Sequence, residues 1–471
     1  MKTQCNPKQF EFHGLGRREV TGKFDGGQIS SDGGGVLLRE VEQRTHILKR
    51  LSQCFEDHRD LRFVEHDVES LIKQRVMALA LGYEDLNDHD VLRQDPLLAL
   101  LCDKSDPTGE ARIQEADRGK ALAGKSTLNR LELAPLEPLP SSRYKKVIAQ
   151  PALMDRLLVD LFVESFETPP EQLILDVDAT DDPLHGHQEG RFFHGYYGHY
   201  CYLPLYIFCG EQLLSARLRE ANQDGSAGTK EELSRIIGQI RQTWPQVRII
   251  IRGDSGFCRD ALMSWCEENR VDYLFGLAKN KRLKSVIKTE LQQAQADFEN
   301  HQQAARVYKD FRYQTRKSWS RERRVVGKAE YLAKGENPRF VVTSLSQDSY
   351  DAQSLYETLY CARGDMENRI KEQQLGLFAD RTSTHLMQAN QLRLYFSSFA
   401  YVLMQTLRRL ALSDTEMAKA QCTTVRLKLF KIGAQIKVTV RKVWIAFSES
   451  YPYANLFQHI LKRLEAIPIR T

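Results

Sequence analysis

A mixed α/β fold preceded by a mainly helical region is what the hydrophobic patterning of this 471-residue chain predicts. Three observations carry the reading. Apolar residues of Asp67–Leu81 recur at helical spacing. After Pro169-Pro170, short runs rich in β-branched and aromatic residues alternate with amphipathic stretches. Residues 281–345 then break the alternation with a polar helix and three strand-like runs, which reads as a β-rich insertion in the α/β domain.

The elements follow in order. Residues 1–140 form the helical region. Gly33–Gly35 is a turn opening a helix, and the helix at Asp67–Leu81 is followed by one over Asp88–Cys102 that Pro96 bends. Pro135–Pro140 is a linker, and a helix resumes over Pro151–Phe166 with proline early, where its missing N–H costs little. Leu173–Val177, Tyr200–Cys209 and Gln212–Arg219 are three antiparallel strands. A helix at Glu231–Trp244, a strand at Val247–Ile251, a helix at Arg259–Asn269 and a strand at Tyr273–Ala278 complete the first part of the core, residues 151–280. Residues 281–345 hold a helix at Leu283–Asn300 and strands at Arg306–Tyr313, Arg324–Leu332 and Arg339–Leu345. Residues 346–412 return to helix at Asp351–Gln374 and His385–Leu412. The tail, 413–471, carries strands at Thr423–Leu429 and Gln435–Val440 and a helix at Ala454–Ala466.

Composition narrows the classes of function. Apolar residues at 42% are enough for real cores, and no run approaches the roughly 18 apolar residues of a membrane span. The polar segment Met1–Phe10 has no apolar region of the kind a secretory signal needs. Nine cysteines with no C-x-x-C pair read as reduced cytoplasmic thiols. The net charge is only +5, but residues 301–340 hold eleven Lys/Arg against four Asp/Glu, and residues 401–471 hold twelve against four. Such segments are either solvated faces or surfaces for a polyanion.

The carboxylates carry the chemistry. Asp178 follows the apolar run Leu173–Val177, and Asp254 follows an apolar run ending in Arg252-Gly253. A carboxylate at the end of a buried strand is costly unless compensated. Two of them side by side on one sheet would repel, and a hard divalent cation such as Mg²⁺ or Mn²⁺ would relieve that repulsion. The bland alternative is a strand-end Asp that caps the next turn. Asp176, two residues earlier on the same strand face, is the alternative first ligand. At about 100° per residue, Tyr360, Arg363, Glu367 and Lys371 share a helix face within an arc of roughly 80°, while Asp365 and Glu372 point away. A carboxylate for metal with cations for phosphate oxygens suits phosphoryl transfer. The competing reading is an amphipathic helix with an i,i+4 Glu367–Lys371 pair.

Asp178-x-Thr180, Arg-Gly-Asp254-Ser-Gly and Tyr360-x-x-Arg363-x-x-x-Glu367 resemble the three motifs of insertion-sequence transposases with a DDE site, the last being the start of the YREK signature. The segments Ser30–Arg39, Leu128–Glu132 and Asp176–Gly186 further resemble insertion sequence family 1380. The resemblance implies an RNase H-like catalytic core interrupted by the β-rich insertion before its acidic helix. It implies catalysis and metal binding by Asp178, Asp254 and Glu367, with a pair of Mg²⁺ ions (or Mn²⁺). Tyr360, Arg363 and Lys371 would hold DNA phosphates. An aromatic of the insertion's last strand would stack a flipped base; Phe340 matches that place and Trp319 is the other candidate, with core packing the competing role for each. The implied partners are double-stranded DNA, as terminal inverted repeats and as target, and a second copy of the chain; the implied setting is the bacterial cytoplasm and nucleoid. Gln374 stands where the family's final lysine falls.

Two patterns compete. Gly119–Ser126 matches G-x-x-x-x-G-K-S letter by letter, but a polar segment rather than a strand precedes it, so no nucleotide cofactor is expected. His185, His187, His194 and His199 could be imagined around zinc, but the Tyr- and Gly-rich context suits a β-hairpin surface. The alternatives to an active transposase are a silent DNA-binding derivative and a nuclease of the same fold that does not join strands.

Overall fold

The computed structural model describes residues 9–138, 142 and 145–469. Residues 1–8 of the N-terminal segment and residues 139 and 140 of the Pro135–Pro140 linker therefore lie outside the described residues. The chain divides into two compact units, one of residues 1–149 with 399–471 and one of residues 150–398.

In the second unit, apolar runs have become one large sheet. Its strands are β1 (Gln172–Ala179), β2 (Leu205–Cys209), β3 (Gln212–Arg217), β4 (Arg248–Gly253), β5 (Asp272–Leu277), β6 (Ala305–Tyr313), β7 (Arg323–Leu332) and β8 (Arg339–Thr343). They lie in the order β3-β2-β1-β4-β5-β8-β7-β6, with a short ninth strand, Gly335–Glu336, on β7. β1, β4 and β5 run parallel. All other neighbours are antiparallel. The four strands of residues 305–343 thus continue the central sheet, because β8 hydrogen-bonds directly to β5.

The pleat sends alternate residues to opposite layers. Leu173, Leu175 and Val177 of β1 join one core with Ile249 and Ile251 of β4. Helices α1 (Pro151–Glu164), α2 (Thr229–Thr243), α3 (Asp260–Glu268), α4 (Lys281–Val286) and α5 (Lys288–His301) supply apolar residues to that core. On the other face, Ile250, Leu274, Val326 and Val341 pack against Leu355, Tyr356 and Leu359 of the helical stretch 352–376. That stretch is not one regular helix. Its turns widen at Leu355–Tyr360 and Glu372–Gly376, tighten at Cys361–Arg363, and are regular over Ala352–Ser354 and Gly364–Lys371.

In the first unit, Val68–Leu81 is a helix capped by Asp67, whose carboxylate accepts the Ser70 N–H. The predicted helix over Asp88–Cys102 is broken rather than bent. His89–Leu92 ends, and Pro96–Leu101 starts anew under the Asp95 carboxylate, with Pro96 at the position where no N–H is needed. The strand predicted at Thr423–Leu429 is helical, as Cys422–Val425 followed by a wide turn over Arg426–Phe430. Strands Ala434–Val438 and Val443–Phe447 pair with each other, and the former pairs with Gln28–Ser30. Gly34 explains one family-like segment: a Cβ there would overlap the Leu429 carbonyl. Leu128–Glu132 is explained by Glu132, fully buried against Arg75 at 2.7 Å. Before Gly119 lies a single tight turn, Glu115–Asp117, and no strand. Among the described residues, no helix is long and apolar enough to cross a membrane.

Candidate active site

β1 and β4 are adjacent and parallel, and their register pairs Val177 with Gly253. The next residues, Asp178 and Asp254, therefore lie side by side where the two strands end, about 5 Å apart in backbone spacing. Local chemistry fixes each carboxylate. Asp178 Oδ1 accepts the Ala179 N–H at 3.0 Å, and Asp254 Oδ1 accepts the Gly256 N–H at 2.8 Å. Glycine precedes Asp254 because a Cβ at Gly253 would come within 2.8 Å of Val177.

The helical stretch lying on this face brings the third group. Arg363 Nη1 donates to Asp178 Oδ2 at 3.2 Å, and its Nη2 donates to Glu367 Oε1 at 3.0 Å. One guanidinium thus ties the strand carboxylate to the helix carboxylate. Burial pushes the Asp178 carboxyl up to about 6; Arg363 pulls against the shift, and the charges of Asp254 and then Glu367 add to it. The charges of Asp254 and Glu367 thus both reach Asp178. Tyr360 reaches the same place from the wide turn before Arg363: its hydroxyl lies 2.6 Å from where a Cβ of Gly276 would stand, next to the Ser255 amide.

Asp176 has a different partner. It forms a bidentate pair with Arg252 at 2.5 and 2.7 Å, both side chains being buried. Arg252 also donates to the Leu359 carbonyl. The pair fastens β1, β4 and the helical stretch together one step below Asp178. Its signal in the sequence is a cation within an apolar run, which requires a buried counter-charge.

Of the other candidates, Lys371 is exposed. Gln374 donates to the Asp181 carbonyl at 3.1 Å and so braces the loop after Asp178. Phe340 is 3% exposed and packs in the core, yet it helps line a cleft of about 450 Å³. Asp254, Lys279, Arg339, Tyr356 and Tyr360 share that lining. Trp319 is 6% exposed, set edge-on to Tyr313 and covered by Arg323. Lys279, Arg339 and Gly276 escaped the sequence reading, although a lone glycine inside an apolar strand signals close approach by another group. The four histidines do not converge. His199 pairs with Asp181 at 2.8 Å, while His185 and His187 are exposed in the preceding loop.

The donor set fits a hard divalent cation, since Asp178, Asp254 and Glu367 offer only carboxylate oxygens. Among the described residues no three acidic, histidine or cysteine side chains are spaced to grip one ion as they stand. Arg363 is the cation that balances Asp178 and Glu367 in this arrangement.

Over residues 12–469 the chain matches the family described as transposase DDE domain, group 1, and it belongs to that family. Membership makes it a transposase-type protein of a class that handles DNA with divalent metal. No curated protein matches the chain.

Proposed function

We propose that this protein is a DNA transposase that cleaves transposon ends and joins them to target DNA, with Asp178, Asp254 and Glu367 as its catalytic, metal-binding residues. The observation that carries the reading is the meeting of Asp178 and Asp254 at two parallel strand ends with the Arg363–Glu367 pair of the helical stretch. The strand order and directions support an RNase H-like core, with residues 281–345 inserted before the acidic helix.

Mg²⁺ ions, for which Mn²⁺ can substitute, would sit on the three carboxylates as a pair and supply activation of the attacking oxygen and stabilisation of the leaving oxygen. The chain's own residues do the rest. The Ala179 and Gly256 amides fix the rotation of the two aspartates. Arg363 keeps the carboxylates of Asp178 and Glu367 together before substrate arrives. With DNA in place, Arg363, Tyr360 and Lys371 turn donors to its phosphate oxygens. The cleft lined by Phe340, Lys279 and Arg339 is of a size to take one extruded base. Residues 1–140 would bind the inverted repeats, residues 413–471 would contact DNA or dimerise, and a homodimer would hold the two ends. Phosphate contacts by Lys and Arg give strongly salt-dependent binding.

Cleavage of DNA carrying the element's own ends, with Mg²⁺ present or chelated, tests this. Cutting should require metal and vanish in Asp178→Ala, Asp254→Ala and Glu367→Ala while binding survives. Cutting by any of the three at the parental rate removes that residue from the site. One observation favours the silent DNA-binding alternative: Arg363 already neutralises two of the carboxylates. Binding without cutting in both Mg²⁺ and Mn²⁺ would establish that reading. A pre-cut end that is never joined to target would leave a nuclease.

A further inference from the structure

Arg191–Tyr200 holds five phenylalanine or tyrosine rings, two histidines and one arginine, and no acidic residue occurs from 190 to 210. The segment folds as a hairpin, Phe192–His194 against His199–Tyr202, turning through Gly195–Gly198. Its third strand is Asp182–Pro183, three residues beyond the end of β1. The base is firmly held. His199 pairs with Asp181 at 2.8 Å, the Tyr202 hydroxyl donates to the Glu189 carbonyl at 2.5 Å, and Arg191 donates to the Gly186 carbonyl. Half-buried Tyr197 packs on a small apolar cluster of Cys201, Leu203 and Ala221, against which Ala179, the neighbour of Asp178, also packs.

The tip and one edge are bare. Tyr196 is 87% exposed, Phe193 57% and Tyr200 45%. The rings stand edge to face rather than stacked on each other, Phe193 to Tyr200 at 5.6 Å and Tyr196 to Tyr197 at 5.1 Å. The Arg191 guanidinium lies 4.4 Å over Tyr200. Nothing in the fold needs these rings outside the core, and a rigid base beneath exposed aromatics is the build of a contact surface.

We propose that this hairpin is a stacking platform for unpaired nucleotides of the DNA strand that passes Asp178. Charge selects the occupant: exposed rings with the Arg191 guanidinium over one of them, on a hairpin whose own residues include no carboxylate, match bases on a phosphate chain. Position selects it too, because the platform grows from the same strand end as Asp178. The inference rests on the reading of that site as one that acts on DNA.

The full chain, in EDTA so that nothing is cut, is titrated with a fluorescent duplex bearing a six-nucleotide overhang that contains 2-aminopurine, and with the same duplex blunt-ended. The parent should prefer the overhang and quench 2-aminopurine. Phe193→Ala/Tyr196→Ala should lose at least about tenfold of overhang affinity and most of the quench, with blunt-duplex affinity unchanged. Phe193→Leu/Tyr196→Leu, which keeps apolar bulk on the hairpin, should behave like the alanine pair, and Phe193→Tyr/Tyr196→Phe like the parent. Equal affinity of the parent for overhang and blunt duplex overturns the platform and leaves the transposase reading standing. Failure to bind either probe defeats both. Loss of self-association in the alanine pair, with overhang affinity intact, would give the surface to a second copy of the chain instead.

Discussion

Replacing Gly276 by alanine adds one methyl group at the most crowded point beside Asp254. A Cβ there would stand 2.6 Å from the Tyr360 hydroxyl, 2.9 Å from the Ser255 amide nitrogen and 3.2 Å from the Asp254 carbonyl carbon. The phenol is the end of a side chain and can withdraw, by about 1 Å, to ordinary contact. The other two atoms are backbone and cannot move without opening β5 from the turn that carries Asp254. Overpacking of this kind costs about 1–3 kcal/mol of stability. Its effect on the reaction is larger, because a misplacement of about 1 Å in a catalytic group can cost about a hundredfold in rate. Single-turnover cleavage of end DNA, set beside a urea titration of the same preparation, separates the two effects. The expected result is a folded protein a little less stable than the parent, cutting ten- to a hundredfold more slowly, with DNA affinity retained. Adding Tyr360→Phe should relieve only the contact with the hydroxyl and recover part of the stability. A Gly276→Ala protein that cuts at the parental rate would refute the placement of Asp254 and Tyr360 in one reacting site.

Two further outcomes follow from buried charge. Asp176→Ala leaves the Arg252 guanidinium without its counter-ion and should destabilise the protein by about 3–5 kcal/mol in denaturant titration, whereas Asp176→Leu with Arg252→Met should regain most of that loss; a single variant as stable as the parent would show that the pair contributes nothing. Glu42 is buried and accepts the Leu48 and Lys49 N–H groups, and burial pushes its carboxyl up to about 7. Because the folded value lies above the unfolded one, ionisation opposes folding: the cost is absent below about pH 4.5, grows through the interval up to 7, and is then constant at no more than about 3 kcal/mol. Thermal melts should therefore show the unit containing Glu42 gaining stability as pH falls from 7.5 to 5, with Glu42→Gln flattening the dependence; an unchanged slope in that variant would exclude Glu42 as its source.

The parallel strands were legible because burial on both faces demands runs such as Ile249–Ile251, and an acid ending such a run stands out. Glu367 was legible through its four-residue spacing from Arg363, and that contact survives although the surrounding turns are irregular. Local pattern misled elsewhere. Val425, Leu427 and Leu429 alternate like a strand, yet Leu427 is exposed and Cys422, Val425, Arg426, Leu429 and Phe430 are buried, which is helical spacing. Tyr200–Cys209 read as one strand because its aromatic and branched residues run on, but Pro204 cannot donate within a ladder, and the run divides between two sheets. The Asp176–Arg252 pair and the closeness of Gly276 to Tyr360 depend on which strands become neighbours, and spacing along the chain does not encode that.

The bond between β8 and β5 makes residues 281–345 poor material for deletion. Trimming them would strip β5 of a hydrogen-bonded neighbour, leaving a row of amides and carbonyls as a template for aggregation beside Asp254. A protein engineer seeking to shorten this protein, or to carry a fluorescent reporter on it, should instead work at the turn between β6 and β7, at the exposed residues Arg316–Ser318, where the chain leaves the sheet and returns to it.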